Sequence, residues 1–171
     1  MFYLLLGKSV IAAAIARNFD SMFTIIIAPP HIGPQWEDYK VEFGLRAAKV
    51  YSSGKINEVY EKFRESPSPL LIIIDEAHRF RNEETEDYKK LHQVTRSNIN
   101  NKVVLLTATP FNNAPKDIFA LIKLFQIPGH STIRSVDNDN VAKMEPAHRT
   151  LRATLSENES HPKNGWLKVV N

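Results

Sequence analysis

Leu70-Leu71-Ile72-Ile73-Ile74-Asp75-Glu76-Ala77-His78 is the stretch that decides the fold. An unbroken apolar run of this length reads as a strand buried on both faces, as in a parallel sheet lying between helices. The run stops at two carboxylates. That places negative charge at the carboxyl edge of the sheet, where open α/β folds bind their ligands. A second apolar strand, Val103-Val104-Leu105-Leu106, runs into Thr107-Ala108-Thr109-Pro110, and Gly7-Lys8-Ser9 stands near the start.

Strand and helix patterns alternate outward from this centre. The expected strands are 2–6, 23–28, 47–51, 70–75 and 102–107. Between them, Ile56, Val59, Tyr60 and Phe63 recur at helical spacing, as do Ile118, Leu121, Ile122 and Phe125. A helix over 10–17 follows the Gly7 triplet. Pro115 suits a first helical turn, and Pro128-Gly129 a helix end. Alternation of this kind implies an α/β fold with a mostly parallel sheet and helices on both faces.

The chain has 171 residues, 43% of them hydrophobic, enough for one domain with a real core. A net charge of +3 permits a nucleic-acid partner without implying one. The sequence contains no cysteine, which excludes disulfides and zinc–thiolate sites and is compatible with an intracellular location. No apolar run reaches the length of a membrane span, so no membrane partner is expected. Met1-Phe2-Tyr3-Leu4-Leu5-Leu6 has the look of a signal peptide, but Lys8 falls within the apolar stretch, and the segment reads better as strand, loop and helix.

Gly7-Lys8-Ser9 fits the end of a phosphate loop. Backbone N–H groups at a helix N-terminus cradle phosphates, the lysine reaches the β- and γ-phosphates, and the hydroxyl serves Mg²⁺. The loop departs from the general pattern, which has glycine where Phe2 stands. Glycine is used there because backbone must approach phosphate closely.

At Asp75-Glu76-Ala77-His78 with Thr107-Ala108-Thr109 the chain resembles the first RecA-like, P-loop lobe of superfamily-two helicases and translocases of the DEAH-box type. Thr109-Pro110-Phe111-Asn112-Asn113 followed by Asp117-Ile118-Phe119 is most similar to the Swi/Snf branch. In that branch the phosphate loop also carries glycine where this chain has Leu5. The resemblance implies an ATP-binding lobe that hydrolyses ATP with Mg²⁺ in its full-length parent. Gly7, Lys8 and Ser9 would hold the nucleotide; Ser9 would bind the cation, and Asp75 would hold it through water. Glu76 would polarise the attacking water. His78, Thr107 and Thr109 would link the nucleotide site to the nucleic-acid side.

The partner that the resemblance implies is double-stranded DNA, bound weakly by this lobe alone, together with a second RecA-like lobe that supplies arginine fingers. Ala28-Pro29-Pro30-His31-Ile32-Gly33-Pro34-Gln35-Trp36 looks like the family's motif after the second strand, and Pro30 and His31 are its candidate DNA contacts. Trp36, Tyr39 and Phe43 also fit an amphipathic helix, and the core is the favoured place for Trp36 and Phe43. Arg79 and Arg81 are placed to touch phosphates or to form an ordinary charged loop. Asn113 contacts a phosphate or caps the following helix, capping being the safer role.

The lobe is expected over residues 1–128, with 129–171 a polar tail that begins a further region. The whole is then a fragment, catalytically incomplete, cytoplasmic or DNA-associated. The alternative is a degenerate, non-catalytic lobe that binds nucleic acid or serves as a scaffold.

Overall fold

The structure, a computed structural model, describes residues 6–108 and 115–126. Helix α1 (Leu6–Arg17) leads into β1 (Phe23–Ala28), α2 (Gly33–Glu42), β2 (Ala48–Ser52), α3 (Ile56–Phe63) and β3 (Leu70–Ile74). A 3₁₀ turn, Ala77–Phe80, precedes α4 (Glu86–Thr95), β4 (Lys102–Leu105) and α5 (Pro115–Phe125). The strands form one parallel sheet in the order β2-β1-β3-β4. Four expected strands are thus present, with ends shifted by up to two residues.

The strand expected over 2–6 falls on residues outside the described set, except that Leu6 is helical. Gly7, Lys8 and Ser9 accordingly lie in the first turn of α1 rather than in a loop before it. Gly7 has open space where a Cβ would sit, so it continues the helix without a special backbone demand.

Strict alternation along β1 and β3 divides the core into two layers. Ile25, Ile27, Leu70, Ile72 and Ile74 pack with Ile56 and Val59 of α3, Leu91 and Val94 of α4, and Leu124 of α5. Ile26, Ala28, Leu71 and Ile73 pack on the other face, with Ala12, Ala13 and Ala16 of α1 and Trp36 and Tyr39 of α2. All of β3 is buried. Fully burying an isoleucine or leucine contributes about 1.5–3 kcal/mol, so this strand anchors both layers. The small alanine face of α1 lets that helix lie close to the sheet.

Helix α4 is an element that the longer apolar repeats do not announce. Its local signal is the cap: Thr85 is extended (φ −71°, ψ 144°) and its side chain accepts from the N–H of Tyr88 at 3.3 Å, with Glu86 and Asp87 in the first turn. Asn101 ties the far end of α4 to the sheet. Its Oδ1 accepts from the N–H of Leu70 at 2.8 Å, and its Nδ2 donates to the carbonyls of Val94 and Thr95, both at 3.3 Å.

Helix α5 is seated by polar groups from α4 as well as by Leu121 and Leu124. The hydroxyl of Tyr88 donates to the carbonyl of Ala120 at 2.8 Å, and Arg96 Nη2 donates to the carbonyls of Lys123 and Gln126. Burial pushes the Tyr88 phenol well above its ordinary range and the Arg96 guanidinium below its own.

Candidate active site

The strand order reverses direction between β1 and β3. Chain leaving β1 passes through α2 to β2 on one side, and chain leaving β3 passes through α4 to β4 on the other. The crevice beyond the carboxyl ends of those two central strands is where such sheets bind ligands. Asp75 stands there. Its N–H donates to the carbonyl of Ile27 at 2.8 Å, continuing the parallel ladder one step past β3.

Alternation then decides where the carboxylate goes. Leu71 and Ile73 face α1 and α2, so Asp75, two residues further on, faces them too. It is 5% exposed and accepts three hydrogen bonds. Ser9 Oγ donates to Oδ2 at 3.2 Å, Trp36 Nε1 donates to the same oxygen at 2.9 Å, and the N–H of Glu76 donates to Oδ1 at 2.9 Å. A buried charge persists only when it is paired or hydrogen-bonded, and these three donors meet that need.

The first turn of α1 therefore abuts the acidic strand end. Lys8, in that turn, is half-buried and makes no hydrogen bond or ion pair among the described residues. The hydroxyl of Ser9 and the carboxylate of Asp75 form a pair of hard oxygen donors. Among the described residues no group of three or more His, Cys, Asp or Glu could hold a metal. A pair suits Mg²⁺, which keeps several waters and takes one or two protein oxygens beside substrate phosphates.

Glu76 breaks the strand. At φ 51°, ψ 49° it is the one non-glycine residue of positive φ among those described, and it swings the chain into the Ala77–Phe80 turn. Such backbone is costly for a residue with a Cβ and persists where the surroundings enforce it. Its Oε2 lies 3.0 Å from His78 Nδ1, off the line of a hydrogen bond, so both atoms are buried without a hydrogen-bond partner. Thr107 Oγ1 is a third such atom. Ala77 N–H donates to the carbonyl of Leu106 at 2.8 Å, which sets the turn after β3 beside the segment after β4 and brings His78 and Thr107 into neighbouring segments.

The remaining candidates divide. Pro30 and His31 are exposed in the turn after β1, and Arg79 is exposed after β3, so all three occupy the same edge of adjacent strands. The expected basic loop is in part a 3₁₀ turn whose Phe80 is buried, with Arg81 half-buried. Thr109 and Asn113 lie outside the described residues. Trp36 is in the core as expected, but its indole also serves Asp75, a role that its helical spacing does not disclose. Ser53, after β2, is a further residue at this edge with a buried hydroxyl lacking a partner.

Among solved structures the chain is similar to the Sulfolobus solfataricus SWI2/SNF2 ATPase core in complex with dsDNA. The TM-score is 0.54 at 17% identity, over 90% of this chain and 37% of that one, a likeness that shows the RecA-like α/β fold. It is 35% identical over 90 residues, 51% of its length, to the uncharacterized ATP-dependent helicase YqhH of Bacillus subtilis (strain 168). The chain spans 15% of that relative's length. The family model of the SNF2-related domain matches residues 45–159, a span that contains Asp75, Glu76, His78 and Thr107. With well over half of its length matched by that model, this chain belongs to the SNF2-related domain family.

Proposed function

We propose that this chain is the nucleotide-binding part of an ATP-dependent DNA translocase or helicase of the Swi/Snf type, incomplete on its own. The observation that carries the proposal is the meeting of Ser9, in the first turn of α1, with Asp75, at the end of β3. Residues 1–128 make up the lobe in this reading, and 129–171 begin the region that follows. Gly7, Lys8 and the N–H groups of the first turn of α1 take the phosphates of ATP, and Ser9 with Asp75 takes Mg²⁺. A bound Mg²⁺ supplies charge neutralisation for the phosphates.

Phosphoryl transfer of this kind depends on positioning and charge stabilisation. Asp75 contributes a fixed negative charge, held by its three donors. Glu76, aimed off the sheet by its left-handed backbone, is the group that orients and accepts a proton from water. His78 beside it and Thr107 on the adjoining segment pass the state of that carboxylate toward the edge carrying Pro30, His31 and Arg79. DNA, double-stranded as in the Sulfolobus complex, is the partner proposed for that edge, with Arg81, Thr109 and Asn113 as further candidates.

Calorimetry with Mg-ATP tests the nucleotide site. Binding that Ser9→Ala and Asp75→Asn each weaken is expected. Binding that neither variant alters overturns the assignment. Turnover by the chain alone is expected to be negligible, because arginine fingers, proposed to come from a second lobe, contribute about 10³–10⁵ in rate in related systems. DNA binding is expected to be weak, independent of sequence and steeply reduced by salt.

One observation favours a second reading, a lobe that binds nucleic acid without nucleotide. Phe2 and Leu5 stand where phosphate loops have glycine. DNA binding with no measurable Mg-ATP affinity is its signature.

A further inference from the structure

We propose that Trp36 is a positioning residue for the cation-binding carboxylate of Asp75, fixing its rotation through the indole N–H; the inference rests on the nucleotide-binding reading above. The indole is wholly buried, and its Nε1 reaches Asp75 Oδ2 at 2.9 Å, closer than the hydroxyl of Ser9 at 3.2 Å. Hydrogen bonds to an ionised acceptor are about twice as strong as neutral ones. A core position that needed only volume would be filled as well by phenylalanine or leucine. A buried indole needs an acceptor for its N–H, and here the acceptor is the buried acid at the site.

The two side-chain donors on Oδ2 differ in freedom. A serine hydroxyl turns about one bond and can leave Asp75 to offer its oxygen to an incoming cation. The indole cannot turn away. It is packed edge-on against Tyr39, with ring centroids 5.8 Å apart. Its backbone is fixed as well: Trp36 N–H donates to the Ile32 carbonyl at 3.2 Å, and Ile32 and Gly33 N–H donate to the Pro29 carbonyl at 2.9 and 3.2 Å. Once Ser9 rotates, Oδ2 retains the Trp36 bond and gains a free lone pair directed at the first turn of α1. The carboxylate thus meets a cation already oriented, losing no rotational freedom at that moment.

The test uses the full chain with Trp166→Phe, so that Trp36 gives the single indole ¹⁵N–¹H resonance. Substoichiometric Mn²⁺ with ADP is expected to broaden that resonance beyond detection, since a paramagnetic ion on Asp75 lies one hydrogen bond from the indole. Trp36→Phe, shown to be folded by its thermal transition, is expected to lose about 10–100-fold in Mg-ADP affinity by calorimetry, the usual cost of removing an outer partner of a metal ligand. Should that variant fail to fold, benzothienylalanine at position 36, which keeps the ring shape and replaces N–H by sulfur, carries the same expectation. An unbroadened resonance in a chain that binds Mg-ADP overturns the proposal together with the Ser9–Asp75 cation site. Equal Mg-ADP affinity in the chain lacking the N–H overturns the proposal and leaves the nucleotide reading standing. A chain that binds no Mg-ADP overturns both.

Discussion

Ser9 and Asp75 are joined by a hydrogen bond of 3.2 Å although 66 positions separate them in the sequence. One belongs to the first turn of α1, the other to the first residue beyond β3, and the parallel sheet is what brings the two ends together. The pair is a buried hydroxyl and a buried carboxylate.

Asp75→Asn tests the charge. The amide presents one acceptor and one NH₂ where the carboxylate presents two acceptors, so one of the donors Ser9, Trp36 or Glu76 N–H must face an N–H. We expect a loss of about 1–3 kcal/mol in urea unfolding, the cost of an unsatisfied buried group, with the fold retained. Mg-nucleotide affinity should fall at least tenfold. Unchanged affinity would leave the acid with a structural role only.

Glu76 gives a prediction with an unusual sign. At φ 51° a Cβ is unfavourable by about 1–2 kcal/mol, a cost glycine does not bear. Glu76→Gly should therefore be more stable than Glu76→Ala by about 1 kcal/mol, the reverse of the order within ordinary helix or strand. Chemical denaturation of the two variants side by side reads this directly. An alanine variant as stable as the glycine one would mean that the backbone there is not left-handed.

Asn101 holds the start of β3 and the end of α4 through three hydrogen bonds, one of them to the N–H that opens the strand. Asn101→Ala should cost about 1–3 kcal/mol, more than a surface substitution, because the half-buried Leu70 N–H loses its acceptor. Asn101→Asp keeps an acceptor for Leu70 but turns a carboxylate oxygen toward the Val94 and Thr95 carbonyls, and it too should destabilise. A neutral alanine variant would contradict the latch.

His92 supplies a pH dependence. Burial holds its imidazole below the usual range, with Arg96 and Lys123 acting in the same direction and Glu83 opposing, while its ring stacks on Tyr88 at 5.9 Å. The unfolded chain then takes up the proton first. Stability contributed by neutral His92 is complete above the unfolded value, near 6.5, and is lost as pH falls from there toward the lower folded value. Thermal midpoints of the protein should decline between about pH 7 and 5 more steeply than those of His92→Gln. Parallel curves would show that the imidazole is solvated.

Where burial follows from local pattern, the fold was legible. The β3 run, the α3 spacing and the acid pair at the strand end survive in the structure, because apolar periodicity and a full parallel sheet impose the same order; α5 forms as well, though it buries Leu121 and Leu124 and leaves Phe125 exposed. Three features were not legible for identifiable reasons. The extension of α1 back to Leu6 is invisible when Gly7 is taken as a loop residue, since glycine is compatible with either state. The Trp36 contact crosses 39 positions and depends on α2 packing over the carboxyl end of β3, a tertiary fact. The left-handed Glu76 defies residue preference altogether, which is how a strained site escapes propensity reasoning.

The alternation along β3 sets a rule of counting for any descendant of this gene. Ile72, Ile73 and Ile74 can be exchanged for valine or leucine at modest cost, since volume and burial are nearly conserved. Removing any one of them preserves the composition and most of the similarity, yet moves every later side chain to the opposite face. The charge of residue 75 would then emerge among α3, α4 and α5, against carbon and without a donor, while the longer side chain of Glu76 took its place toward Ser9 and Trp36. What selection must guard in this strand is its phase, and a single lost codon triplet would cost more than several substitutions together.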